Sequence, residues 1–150
     1  IHRLSHGTKC KRIDMSTEIV NLDWVHDRQF ILHDRNGFPI VMDQLNGVNA
    51  SDLLPLSLIG CTSYDVVAIL EKQRQKVTDL NVSAESTRDP DPPWIFRKIH
   101  VHYRLTGCEL DSGKVARAIQ LAEEKYCAVF ATLSQAVEIT NDFEIIEVEE

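Results

Sequence analysis

The chain has 150 residues, 43% hydrophobic and 26% charged, with a formal net charge of −7. That composition excludes a disordered chain and suits one globular domain over residues 1–150, large enough for a real core. The acidic balance argues against nucleic-acid binding, which needs a basic footprint.

Residues 1–12 contain His, Arg and Lys but no apolar run of the secretory kind, so a cytoplasmic location is expected. The four cysteines are Cys10, Cys61, Cys108 and Cys127. None lies in a C-x-x-C pair, and free thiols in a reducing compartment fit better than a disulfide scaffold or a zinc ribbon.

In chain order, Thr17 to Trp24 alternates, with Val20, Leu22 and Trp24 on one face. Phe30 and Leu32 continue the alternation. Asn36-Gly37 predicts a type I′ hairpin, and Phe38, Ile40 and Met42 alternate beyond it. Three antiparallel strands are expected, followed by a loop over 44–49.

Asn49 or Ser51 is expected to cap a long helix running to about Lys76. Its stretch Leu53 to Leu70 is apolar nearly all round, as long as a short membrane span. Pro55, Ser57, Gly60, Thr62, Ser63 and Asp65 interrupt it, and an acid at mid-span is expensive in lipid. It reads as a buried core helix rather than a membrane segment.

Leu80, Val82 and Ala84 then alternate, Asp89-Pro90-Asp91-Pro92-Pro93 marks a turn, and Ile95 to Leu105 alternates at length. Asp111 or Ser112 can cap a second helix with Val115, Ala118, Ile119, Ala122 and Tyr126 on one face. A short apolar run follows Cys127, and a last strand puts Val137, Ile139, Phe143 and Ile145 on one face. The order βββ-α-ββ-α(α)-β indicates an α+β fold. One small sheet covers a long apolar helix poorly, so an intertwined dimer is expected.

His100-Val101-His102 has the spacing of a metal pair on one strand face. That face also carries Lys98 and Arg104, which favours water or a partner over a cation, and no metal is expected there. His6 and Cys10 have helical ligand spacing but no further ligands. Phosphate-loop, dinucleotide, hydrolase and zincin motifs are absent.

The cysteines remain. Cys61 stands beside Thr62, Ser63 and Asp65 in the long helix. Cys127 closes a helix ahead of an apolar run, where a second helix N-terminus can stabilise a thiolate. Residues 47–70, GVNASDLLPLSLIGCTSYDVVAIL, with Glu124-Lys125-Tyr126-Cys127 and Ala128 to Leu133 behind it, resemble the OsmC/Ohr family (osmotically inducible protein C and organic hydroperoxide resistance protein). The helix segment is similar to a mostly uncharacterised branch of it.

The resemblance implies an intertwined homodimer with sites at the subunit interface. It implies reduction of organic hydroperoxides by thiols, without cofactor, with an external dithiol as reductant. By position, Cys61 would attack and Cys127 resolve. Family peroxidases carry an acid before the helix that positions an arginine beside the thiol. The equivalent position here is Ser51, with Asp52 one residue later. Arg12, Arg28 and Arg35 are the candidate arginines, Arg35 favoured from its hairpin.

Asp65 is one helical turn beyond Cys61, and a nearby carboxylate disfavours a thiolate. The alternative expectation is a binding protein on the same scaffold, with an interface pocket walled by Tyr64 and Phe130, or a redox sensor.

Overall fold

A computed structural model describes residues 15–149. His6, Cys10 and Arg12 lie outside them. The chain gathers into two compact units, residues 1–49 and 50–150.

The first unit is an antiparallel meander of β1 (Asn21–His26), β2 (Gln29–His33) and β3 (Pro39–Met42). The register pairs Leu22 with Leu32 and Trp24 with Phe30, then Phe30 with Met42 and Leu32 with Ile40. The first strand starts later than its alternation suggests, leaving Val20 outside.

The turn after β2 also departs from expectation. It spans five residues, and Gly37 alone carries the positive φ, at 87°. Asp34 organises it: its side chain accepts from the N–H groups of Asn36 and Phe38. An aspartate that satisfies two backbone donors competes successfully with the two-residue turn that Asn-Gly favours.

The second unit holds α1 (Leu53–Lys72), β4 (Lys76–Arg88), β5 (Phe96–Cys108), α2 (Ser112–Leu121), α3 (Ala128–Leu133) and β6 (Glu138–Glu147). β5 is central, antiparallel to β4 and parallel to β6. The two faces of β5 divide cleanly. Ile99, Val101, Tyr103 and Leu105 are fully buried beneath the helices. Lys98, His100, His102 and Arg104 lie on the other face.

α1 is entered through a 3₁₀ turn, Ala50–Asp52, and neither Asn49 nor Ser51 caps it. It stops four residues before the expected Lys76. Arg74 turns the chain at φ 56°, and the Gln75 N–H closes back on the Leu70 carbonyl. The polar 71–76 segment is therefore a helix end plus a turn into β4.

α1 buries one stripe: Leu58, Thr62, Val66 and Leu70, spaced by four. The expectation of burial on most sides is not met within a single chain, where Leu56, Tyr64 and Val67 stay exposed.

α2 is capped by Asp111, whose carboxylate accepts from the Lys114 N–H at 2.9 Å. Val115, Ala118, Ile119 and Ala122 are buried as predicted. Tyr126 is not. A π-helical turn, Ala122–Tyr126, intervenes and closes on the bond from Cys127 N–H to the Ala122 carbonyl. Wider turns advance each residue by a smaller angle, so Tyr126 is carried off the buried face. The same turn leaves Glu123 inside.

Candidate functional site

The polar groups of the second unit converge where α1, β5, β6 and the π turn meet. Cys127 ends that turn in an extended conformation and becomes the N-cap of α3. Its Sγ accepts from the Phe130 N–H at 3.2 Å. The side chain is 2% exposed. Cys61, half-buried on α1, lies close enough to act on its proton affinity. The fold thus brings together two thiols 66 positions apart.

Their electrostatics are not symmetrical with what the cap suggests. Burial pushes the Cys127 thiol up to about 11, helped by the contact with Cys61, while the N–H groups of Phe130 and Val129 pull the other way. Desolvation outweighs two backbone donors because the thiolate would exchange bulk water for an interior. At neutral pH Cys127 is then held as the protonated thiol. None of the principal influences on it is a cation.

Beside the thiols lies a chain of buried polar groups that the sequence did not announce. Thr62, the residue after Cys61, is fully buried and donates to the Leu58 carbonyl at 3.1 Å. The Tyr103 hydroxyl donates to Glu123 Oε1 at 3.2 Å, and the Asn141 amide donates to Glu123 Oε2 at 2.7 Å. Glu123 is 5% exposed, and burial raises its carboxyl above the ordinary range against those hydrogen bonds. Burial raises the Tyr103 phenol as well. The signal in the sequence was the unbroken alternation of β5, which puts Tyr103 on the core face and so demands a partner for its hydroxyl.

The other expected residues fall elsewhere. Asp65 is half-buried on α1. Asp52 is exposed and lines an open groove of about 430 Å³ with Pro55, Leu56, Ile59, Ala84 and Ser86. Arg35 sits in the β2–β3 turn and pairs with Glu18 of its own unit. Tyr64 is 78% exposed, off the buried stripe. Phe130 is half-buried and contributes its backbone N–H to Cys127. Cys108 closes β5 as a free, half-buried thiol.

The histidine pair belongs to a cross-strand ladder. His100 meets Thr140 at 2.7 Å and His102 meets Asp142 at 2.6 Å. Lys98 pairs with Glu138 and Arg104 with Glu144. Among the described residues, no group of three or more His, Cys, Asp or Glu is arranged to hold a metal ion.

Residues 43–142 match the model of the family described as OsmC-like protein. The protein YhfA of Escherichia coli K12 is 38% identical over 126 residues, which are 82% of this chain and 94% of YhfA. A crystal structure of a hypothetical protein from Aquifex aeolicus VF5 superposes with a TM-score of 0.82 at 27% identity, over 90% of this chain and all of that one. The organic hydroperoxide resistance protein OhrB of Bacillus subtilis shares the fold more distantly. Its TM-score is 0.56 at 15% identity, over 84% of this chain and 98% of OhrB.

Proposed function

The chain belongs to the OsmC-like family, and from that premise we propose that it is a cytoplasmic thiol peroxidase that reduces organic hydroperoxides. The observation that carries the reading is the meeting of Cys61 with Cys127, one on the central helix and one capping α3. In the proposed cycle the Cys61 thiolate attacks the distal peroxide oxygen. The O–O bond breaks, the alcohol leaves with a proton, and Cys61 becomes a sulfenic acid. The Cys127 thiol displaces its hydroxyl as water, forming a disulfide that an external dithiol reduces. A thiol held protonated at neutral pH suits the resolving role better than the attacking one.

An intertwined homodimer is part of this reading. The first unit is a three-stranded sheet whose β1 is exposed throughout, with Trp24 at 69% exposure. α1 leaves Leu56, Tyr64 and Val67 open. Apolar area of this kind is worth about 25 cal/mol per Å² when covered, and a second copy offers matching surfaces. Tyr64 would then wall an interface pocket.

The test is consumption of cumene hydroperoxide with a dithiol reductant. Wild type should turn over, Cys61→Ser should not, and Cys127→Ser should complete one turnover and leave a sulfenic acid that dimedone traps. Equal rates in wild type and Cys61→Ser would sink the assignment.

A second reading, binding of a small apolar ligand without catalysis, is favoured by one feature. An open groove of about 430 Å³ lies between Leu54, Arg88, Trp94, Phe96, Leu133 and Val137. It predicts retention of an apolar dye that both cysteine variants bind as tightly as wild type.

A further inference from the structure

The open groove that runs from the start of α1 past the end of α3 to the β4–β5 connection is apolar except for one hydroxyl and one cation. Leu54, Trp94, Phe96 and Leu133 supply its walls, and Ser51 and Arg88 are its polar members. Among the described residues no carboxylate lines it.

Arg88 is the last residue of β4 and stands opposite Phe96, the first of β5. That register lays the guanidinium over the ring, 4.9 Å from its centroid, so an aromatic face holds the cation where a counter-ion could. The acid next to it in sequence, Asp89, is already taken. Arg97 grips both of its oxygens, at 2.9 and 2.7 Å. Among the described residues Arg88 has no carboxylate partner. The chain carries a net charge of −7, which makes an unpaired guanidinium on an apolar wall the exception. Stacking occupies the face of the guanidinium and leaves its N–H edge, the edge that matches the two oxygens of a carboxylate.

Trp94 completes the arrangement. Its φ is 53°, a conformation bulky residues avoid, and its N–H donates to the Asp91 carbonyl at 2.9 Å. It lines the groove yet is 55% exposed, so the indole keeps apolar surface to cover. The groove volume, about 430 Å³, is in the range of small-molecule sites.

We propose that this groove binds a medium-chain aliphatic monocarboxylate, its tail along Leu54, Trp94 and Leu133 and its carboxylate on the Arg88 guanidinium. The inference rests on the ligand-binding reading of the same groove, names the class of ligand, and requires neither cysteine. A wholly apolar ligand would strip water from Arg88 and give it no partner. A cationic head would be repelled by it. An anionic head on an apolar tail satisfies both parts of the groove.

The experiment is calorimetric titration of the wild-type protein with decanoate, decanol and decylammonium, each below its aggregation limit. Decanoate should bind about tenfold tighter than decanol or more, and decylammonium more weakly than either. In Arg88→Gln, decanoate should fall to the level of decanol, while decanol keeps its wild-type affinity. Leu133→Trp, which fills the groove, should abolish binding of both. In a ¹H–¹⁵N spectrum the Trp94 indole signal, told from that of Trp24 by a Trp24→Phe variant, should move as decanoate is added.

Equal affinities for decanoate and decanol in the wild type overturn this proposal and leave the apolar-ligand reading standing. So does a decanoate affinity that Arg88→Gln leaves unchanged. Decanoate binding that leaves the Trp94 signal in place overturns the assignment to this groove. Binding of none of the three overturns the proposal and the reading it rests on together. The wild-type comparison decides the matter even if a variant does not fold.

Discussion

Replacing Cys61 by alanine isolates what controls the Cys127 thiol. Three influences raise its proton affinity: burial first, then the neighbouring Cys61 side chain, then the charge of Cys61. Two backbone N–H groups lower it. The substitution deletes the second and third influences and leaves the first, because burial of Cys127 comes from the packing of the π turn and α3. The Cys127 midpoint should therefore fall below its value of about 11 yet stay above the ordinary thiol value of 9.0. Thiolate fraction scales tenfold per pH unit in this range. Alkylation of Cys127 at pH 8 should then rise in Cys61→Ala by more than nothing and by less than about 100-fold. The assay is iodoacetamide labelling between pH 7 and pH 11, quenched and read by peptide mass. Wild-type Cys127 should also label far more slowly than the half-buried Cys108 at pH 7. Labelling of wild-type Cys127 with a midpoint at or below 9, or slower labelling in Cys61→Ala, would refute the reasoning.

Three further outcomes follow from particular contacts. Tyr103→Phe removes the donor to a buried carboxyl and should cost about 1–3 kcal/mol in urea unfolding; a loss below about 0.5 kcal/mol would show that Glu123 finds another partner. Asp111→Ala removes the α2 N-cap and should cost about 1 kcal/mol by the same measurement, with Asp111→Ser recovering most of it. On the charged face of the sheet, Asp142 raises the proton affinity of His102 above the usual 6.5, and is itself held below 3.8 by His102. The histidine contribution is complete below pH 6.5 and fades as pH rises through its folded midpoint. The aspartate contribution is complete above pH 3.8 and fades as pH falls through its own. Asp142→Asn should therefore lower the His102 midpoint in an NMR titration; an unchanged midpoint counts against the ladder.

The division of the fold into strands and helices was legible because it depends on alternation and on a few punctuating residues. The two faces of β5 could be assigned residue by residue from Lys98 to Leu105, since period-two patterning admits no other arrangement once one face is apolar. What escaped the sequence were events that break a period. The parallel pairing of β5 with β6 joins strands far apart in the chain. Asp34 overrode the Asn-Gly turn through side-chain bonds that composition does not rank. The thiols were legible as a pair only through the family resemblance, because no spacing rule links residues on two different helical segments.

The buried acid was the least legible feature, and the π turn explains why. Glu123-Glu124-Lys125 reads as a solvated helix surface, and solvation is the ordinary fate of such a run. Its burial depends on two facts outside the run: a tyrosine on the core face of β5 whose hydroxyl needs an acceptor, and an asparagine on β6 brought alongside by parallel pairing. The same turn that keeps Glu123 inside also ends the helix at Cys127, so that its sulfur, rather than its backbone alone, receives the first donors of α3. A regular α-helix would leave Tyr126 on the core face and would not deliver Cys127 to Cys61 in this extended conformation. Deleting Glu124, the exposed residue beside Glu123, should shorten the turn towards an α-helical one. The expected result is loss of the Cys61–Cys127 disulfide, read by mass after mild oxidation, in a protein whose far-ultraviolet circular dichroism keeps its helical content. Retention of the disulfide in such a variant would show that the thiols meet for some other reason than the widened turn.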